Sequence, residues 1–234
     1  MASTRPILQL LRPPNLFTVP GDPLCGALLA SHGVWSWRII PAIVISLSAY
    51  CAGLVFNDLA DYSEDLRDRP TRPLPSGAVS RRLAIALAVV FIAIALAAAA
   101  CVSSALFILT VVLIAEVLWY NLQAKKSALI GPVAMGICRG ISVLVGATAI
   151  LPPPPFALSA AAVITIYITG VTTLARTETS NPRIPPLIGS LIRGLLFIQA
   201  GYCAAAGGSG WMAALLLLAL WPLSRLVASH FYAS

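Results

Sequence analysis

Eight apolar stretches, each close to the length of a bilayer crossing, divide the chain near positions 14–31, 39–57, 83–100, 103–122, 129–150, 156–175, 186–206 and 211–228. A helical crossing takes about 20 residues, so the 234 residues leave little room for anything but spans and short loops. Only 10% of residues are charged, against about 25% in a soluble domain, too few to coat a water-facing exterior. The same composition excludes a disordered chain, a basic DNA-binding domain and a secreted disulfide scaffold. Leu, Ile, Val and Ala fill the stretches without period-two alternation, which argues for helices over barrel strands. Pro152 to Pro155 mark one turn, and Gly207, Gly208 and Gly210 another. The expectation is an all-α polytopic membrane protein, about eight transmembrane helices in a lipid bilayer, forming one domain over residues 1–234.

Charge placement then sets the orientation. With a cytoplasmic N-terminus, the inside segments carry Arg5, Arg12, Arg67, Arg69, Arg72, Arg81, Arg82, Lys125, Lys126, Arg176, Arg183 and Arg225. The outside loops carry Arg38 alone, while Arg139 and Arg193 fall within spans. By the positive-inside rule, both termini are expected in the cytoplasm, with the protein in the cell membrane. The formal net charge of +7 therefore belongs to a membrane face and not to a nucleic-acid partner. Pro13, Pro14, Pro20, Asp22 and Pro23 interrupt the first stretch, so no cleavable signal is expected there. Cys25, Cys51, Cys101, Cys138 and Cys203 lie in or beside spans without a CxxC pair and read as packed thiols.

The chain has eight acidic residues, and five of them, Asp58, Asp61, Glu64, Asp65 and Asp68, fall within eleven positions after the second stretch. On a continuous helix Asp58, Asp61, Asp65 and Asp68 occupy about an 80° arc. Carboxylates so crowded need cations, and hard oxygen ligands suit Mg²⁺ completed by substrate phosphates. Arg67, Arg69, Arg72, Arg81 and Arg82 come next, the residue type that grips phosphate oxygens bidentately. A solvated loop with locally paired charges is the plainer alternative.

The run Asn57-Asp58-x-x-Asp61-x-x-x-Asp65, followed by Arg69-Pro70-x-Arg72-Pro73 and Ser76-Gly77, resembles the first aspartate-rich motif of the UbiA superfamily of intramembrane prenyltransferases. Asn15 resembles the family's helix-one asparagine, and Tyr120 with Lys125 its aromatic-plus-lysine loop. The resemblance implies a helical bundle around a central cavity open to lipid. It further implies Mg²⁺ held by Asp58, Asp61 and Asp65, and an isoprenyl diphosphate contacted by Asn15, Asn57, Arg69, Arg72, Tyr120 and Lys125. The allylic diphosphate would ionise there and the cation alkylate a small acceptor, commonly an aromatic ring. Two alternatives stay open: a terpene cyclase of the same superfamily, and a non-catalytic isoprenoid-lipid binding or transport protein.

The second aspartate-rich motif of that family has no match here. The corresponding segment reads Thr172-Thr173-Leu174-Ala175-Arg176-Thr177-Glu178. Either Glu178 holds a second metal or Arg176 contacts the phosphate in its place. The family's ninth span is also lacking from the eight stretches counted.

Asp22, Glu116, Arg139 and Arg193 fall inside spans, where a charge costs at least about 2.5–3.5 kcal/mol near the centre. All four are expected in the cytoplasmic half, facing one polar cavity. On a functional reading, Arg139 or Arg193 contacts phosphate or acceptor and Glu116 or Asp22 takes the acceptor's proton. On a structural reading, Arg139 pairs with Asp22 or Glu116 as a neutral buried bridge.

Overall fold

The computed structural model describes residues 4–176 and 184–228; the expectations resting on Glu178 and Arg183 lie outside these described residues. Every regular element among them is helical. In chain order they are α1 (Thr4–Leu11), α2 (Pro13–Leu16), α3 (Gly21–Ala30), α4 (Ile39–Ala60), α5 (Tyr62–Asp68), α6 (Arg81–Ala100) and α7 (Ser104–Leu122). A 3-10 turn at Ala124–Lys126 then leads to α8 (Ile130–Ile150), α9 (Pro155–Ala175), α10 (Ile184–Ala205) and α11 (Gly210–Ala228).

Seven of these helices, α4 and α6 to α11, are long and apolar enough to cross a membrane. The first apolar stretch is built differently. Arg12 takes a left-handed backbone (φ 46°) between α1 and α2, and Pro13, Pro14 and Pro20 remove amide donors that a continuous helix would use. The remainder is α3, ten residues and about 15 Å long, half of a bilayer's roughly 30 Å hydrocarbon core. All ten of its residues are buried, so protein and not lipid surrounds this half-helix, the condition under which broken helices are tolerated at membrane depth. The chain is a multi-pass membrane protein.

Local signals set several helix ends. Ser80 and Ser103 cap α6 and α7, each hydroxyl accepting from the amide three residues on at 3.2 Å. Pro155 opens α9, where its missing N–H is not needed. The turn after α3 uses Gly33 (φ 75°) and the turn after α10 uses Gly207 and Gly208 (φ 74° and 50°). Ser209 joins the two turns, its amide and hydroxyl both donating to the Gly33 carbonyl at 2.9 and 2.6 Å.

Helices α4 and α8 form the inner wall, with half or more of their apolar window buried, against about a fifth for α6, α7 and α11. Around α3, one core gathers Leu24, Leu28 and Ala27 with Val143 and Ala147 of α8, Ile164 of α9 and Leu195 of α10. A second core packs Ala42, Ile45 and Ala49 of α4 with Ala95, Ala99, Leu106 and Leu113. Glycine lets α3 and α8 meet backbone to backbone: a Cβ at Gly26 would lie 2.0 Å from the Val143 carbonyl oxygen, and one at Gly146 1.9 Å from that of Pro23. The outer faces of α6, α7 and α11 stay covered with exposed Leu, Ile, Val and Phe, as a lipid-facing surface should be.

Candidate functional site

One end of the bundle gathers the acidic run and cations from three other segments. Helix α4 stops at Ala60, and Asp61, at φ −88° and ψ 4°, starts the separate short helix α5. The expected single stripe of four carboxylates is therefore divided. Asp58 and Asp65 are buried, Asp61 is half-buried, and Asp68 is exposed with Glu64. Each inward carboxylate meets its own cation. Arg12, from the break between α1 and α2, donates to Asp58 at 2.9 Å. Arg72, from the loop after α5, holds Asp65 with two bonds from one nitrogen at 3.0 and 2.8 Å. Lys125, from the 3-10 turn, reaches Asp61 at 2.5 Å and the Asn57 side-chain oxygen at 3.2 Å. This separation relieves the like-charge crowding that the sequence implied. Among the described residues no three acidic, His or Cys side chains are grouped closely enough to hold a metal ion together.

Asn57 and Asp61 nonetheless converge two hard oxygens on one cation, with the Lys125 ammonium in that position. One carboxylate plus a carbonyl oxygen is a donor set suited to Mg²⁺, which draws its remaining ligands from water and phosphate. Arg176 donates to the Lys125 carbonyl and so braces the same turn from the end of α9. Arg69 is exposed and does not line the cavity.

Beneath this cationic mouth lies a cavity of about 210 Å³ between α2, α3, α4, α7 and α8. Its walls are mainly apolar, with Val19, Ala49, Leu54, Leu113, Val117 and Met135 among them. Asn15, Asn57, Tyr120 and Arg139 all line it, bringing together four of the residues singled out from sequence. Helix α7 presents Leu113, Val117, Tyr120 and Asn121, one face at helical spacing.

Two of the four intramembrane charges meet in this cavity and two do not. Asp22 is fully buried and lies 2.6 Å from the Nε of Arg139. Gln199 of α10 donates to the other Asp22 oxygen at 2.6 Å and to the Thr18 carbonyl at 2.8 Å, and Arg139 donates to that carbonyl at 2.8 Å. Arg139 also sits over the Tyr50 ring, 5.9 Å from its centroid. Of the two structural pairings open in the sequence, Arg139 takes the one with Asp22. Glu116 precedes Val117 and is rotated about 100° from it, which leaves it outside the lining despite sharing an i, i+4 spacing with Tyr120. Arg193 folds back along α10 toward Ser190 at 3.4 Å, also outside the lining.

Three participants are not evident from sequence. Arg12 reads there only as an orienting charge, though it stands three residues before Asn15. Asn121 is masked by its neighbour Tyr120, although an amide near the end of an apolar span is a signal. Gln199 carries none, because its partner Asp22 is 177 residues away.

Comparison with known proteins bears on this arrangement. The sequence profile described as the UbiA prenyltransferase family matches residues 23–179. Digeranylgeranylglyceryl phosphate synthase of Thermococcus gammatolerans is 30% identical over 147 residues, covering 62% of this chain and 53% of that one. The enzyme of the same name from Methanothermobacter thermautotrophicus is 27% identical over 141 residues, covering 60% and 50%. The chain thus matches about half the length of these curated relatives. Among solved structures, a digeranylgeranylglyceryl phosphate synthase in membranes superposes with a TM-score of 0.65 at 18% identity, over 95% of this chain and 88% of that one. A UbiA homolog from Archaeoglobus fulgidus bound to GPP and Mg²⁺ superposes with a TM-score of 0.62 at 14% identity, over 96% and 87%. These likenesses share the fold: a UbiA-type helical bundle around a central cavity.

Proposed function

We propose that this chain, which belongs to the UbiA prenyltransferase family, is a Mg²⁺-dependent prenyltransferase that ionises an isoprenyl diphosphate and transfers the prenyl group to a small acceptor. The observation that carries the reading is the Asn57–Asp61 oxygen pair closed on a cation at the mouth of an apolar cavity. In this reading Asn57 and Asp61 would hold the metal ion, with Asp58 and Asp65 beside them once Arg12 and Arg72 turn to phosphate. Bound Mg²⁺ would supply electrostatic stabilisation of the leaving diphosphate. Arg12, Arg72 and Lys125 now each sit on a carboxylate. They would transfer to phosphate oxygens, where negative charge grows as the C–O bond breaks. The apolar walls would hold the isoprenoid tail and keep water from the allylic cation.

The same reading sets the basic end of the bundle in the cytoplasm, with both termini there and the protein in the cell membrane. It treats residues 1–234 as one unit. A relative bound to GPP and Mg²⁺ supports the choice of ligand class.

A second reading rests on the pairing itself: with Asp58, Asp61 and Asp65 each engaged by a cation, the protein would bind isoprenoid lipids without turnover. Diphosphate release from geranyl, farnesyl and geranylgeranyl diphosphate, with and without Mg²⁺, separates the two. Mg²⁺-dependent release supports the transferase. Binding of these compounds without release supports the second reading, and a cyclic hydrocarbon or alcohol made without any acceptor would assign a terpene cyclase.

A further inference from the structure

Helices α10 and α11 pack against each other as an antiparallel pair, joined by the turn at Gly207 and Gly208. Each carries one arginine toward the basic end of the bundle, Arg193 on α10 and Arg225 on α11. At 1.5 Å per residue they stand about 18 and 22 Å from the joining turn, so less than one helical turn separates their depths. The Arg193 side chain runs back along α10 toward the same end, over Gly189, where an added Cβ would lie 3.4 Å from it. The two positive charges are close enough to repel each other.

Neither arginine has a counter-ion among the described residues, whose four ion pairs engage Arg12, Arg72, Lys125 and Arg139 instead. Arg193 has five N–H donors, and donates to the Ser190 hydroxyl at 3.4 Å. Arg225 lies over the Trp221 ring, 4.9 Å from its centroid, a contact with the ring face that does not use the in-plane N–H groups. A charge at membrane depth is costly, and two like charges side by side are more so. An anion between them relieves both costs.

The surroundings say which anion. Phe197 stands four residues after Arg193, and Trp221 four residues before Arg225. Because the helices are antiparallel, both aromatic rings lie one turn farther from the basic end, where they meet edge to face at 5.9 Å. Phe197, Leu223, Arg225 and Leu226 are exposed on this outer surface. The surface therefore presents guanidinium groups at one level and hydrocarbon directly beneath them. That is the order of groups along a phospholipid, phosphate first and acyl chains after, whereas a free phosphate ion would use the upper level alone. Arginine matches phosphate oxygens bidentately, and basic sites between transmembrane helices are where anionic headgroups bind. A zwitterionic headgroup would bring a third cation to two that already repel.

We propose that Arg193 and Arg225 form a binding site for an anionic phospholipid of the leaflet at the basic end, its phosphate bridging the two guanidinium groups and its acyl chain lying over Phe197 and Trp221. The bound lipid ties α11 to α10 across their like charges. None of these four residues lines the central cavity, so the site stands or falls independently of the prenyltransferase reading.

The experiment measures binding of the first lipid to the full chain in detergent by native mass spectrometry. The probes are dioleoylphosphatidylglycerol and dioleoylphosphatidylcholine, which share their acyl chains, with inorganic phosphate as a competitor. Wild type should hold the phosphatidylglycerol about tenfold more tightly than the phosphatidylcholine, and excess inorganic phosphate should not displace it. Arg193→Gln with Arg225→Gln should bring the ratio to about one by weakening phosphatidylglycerol alone. Arg5→Gln with Arg38→Gln removes the same charge from two other exposed positions and should keep the wild-type ratio. If the first double variant fails to fold, Arg225→Gln alone should lower the ratio at least about threefold. Equal binding of the two lipids by wild type, no binding of either, or a ratio unchanged in the Arg193 and Arg225 variants would each overturn the proposal. So would an equal loss in the Arg5 and Arg38 variant, or displacement by inorganic phosphate, which would make this a site for the free ion.

Discussion

Lys125 and Asp61, 64 residues apart in sequence, make the short contact that closes the site: the ammonium lies 2.5 Å from the carboxylate and 3.2 Å from the Asn57 oxygen. A cation already bound to the oxygens proposed for a metal has two opposite effects on function. Lys125→Ala vacates those oxygens, so Mg²⁺ should bind the free protein more tightly. The same variant removes a phosphate contact, so diphosphate release should fall by about two orders of magnitude. Metal titration alongside the release assay checks both. A parallel change in the two, or none in either, would remove Lys125 from the site.

The Arg72–Asp65 pair makes a geometric prediction. Both carboxylate oxygens are contacted by one guanidinium nitrogen, in a pocket where the Asp65 side chain is 6% exposed. Arg72→Lys keeps the charge but loses the planar fork that matches phosphate. Its KM for isoprenyl diphosphate should rise more than about tenfold while membrane insertion is unchanged. A wild-type KM would contradict the assignment.

Asp22 and Arg139 form a buried ion pair with Gln199 and Thr18 as its remaining partners. Removing one member of such a pair leaves a charge without its counter-ion, at a cost of about 3–5 kcal/mol. Asp22→Asn and Arg139→Gln should each lower thermal stability in detergent strongly. The double variant Asp22→Asn with Arg139→Gln should recover much of the loss, because neither charge then remains. Additive losses in the double variant would refute this coupling.

The close approach of α3 and α8 is tested by adding methyl groups. Gly26→Ala and Gly146→Ala would place a carbon 2.0 and 1.9 Å from a backbone oxygen of the other helix, and a backbone cannot step aside cheaply. Each should destabilise by more than the about 1–3 kcal/mol typical of core overpacking. Gly201→Ala, in α10 with nothing within 4 Å of its added carbon, should instead be neutral or stabilise slightly. Thermal unfolding of the three variants decides.

The legibility of each feature in sequence depends on how much three-dimensional information it required. Helix number and placement needed only the length of apolar runs, and seven spans emerged where eight stretches stand in the sequence. The difference lies at the first stretch, where Pro13, Pro14 and Pro20 are visible as interruptions. Its outcome as a buried ten-residue half-helix depended on α8 and α10 covering it. The clustering of Asn57, Asp61 and Lys125 was implied only by the resemblance of the aspartate-rich run and of Tyr120 with Lys125 to motifs of one family, since no spacing within the chain relates Lys125 to residues 64 and more positions away. The division of the acidic stripe was not, because a single break at Asp61 rotates all the residues beyond it. Depth and rotation decide intramembrane partners. Hence charge alone left both Asp22 and Glu116 open as the partner of Arg139, and Glu116 and Arg193 could not be excluded from the cavity until the α7 and α10 faces were fixed.

A structure of the full chain with Mg²⁺ and a non-hydrolysable geranyl thiodiphosphate tests the central claim most directly. The expected result is the metal on the oxygens of Asn57 and Asp61, the thiodiphosphate bound to it, and Lys125 and Arg72 moved from their carboxylates onto phosphate oxygens. Density for the analogue away from this mouth, with Arg12, Arg72 and Lys125 still on Asp58, Asp65 and Asp61, would contradict it.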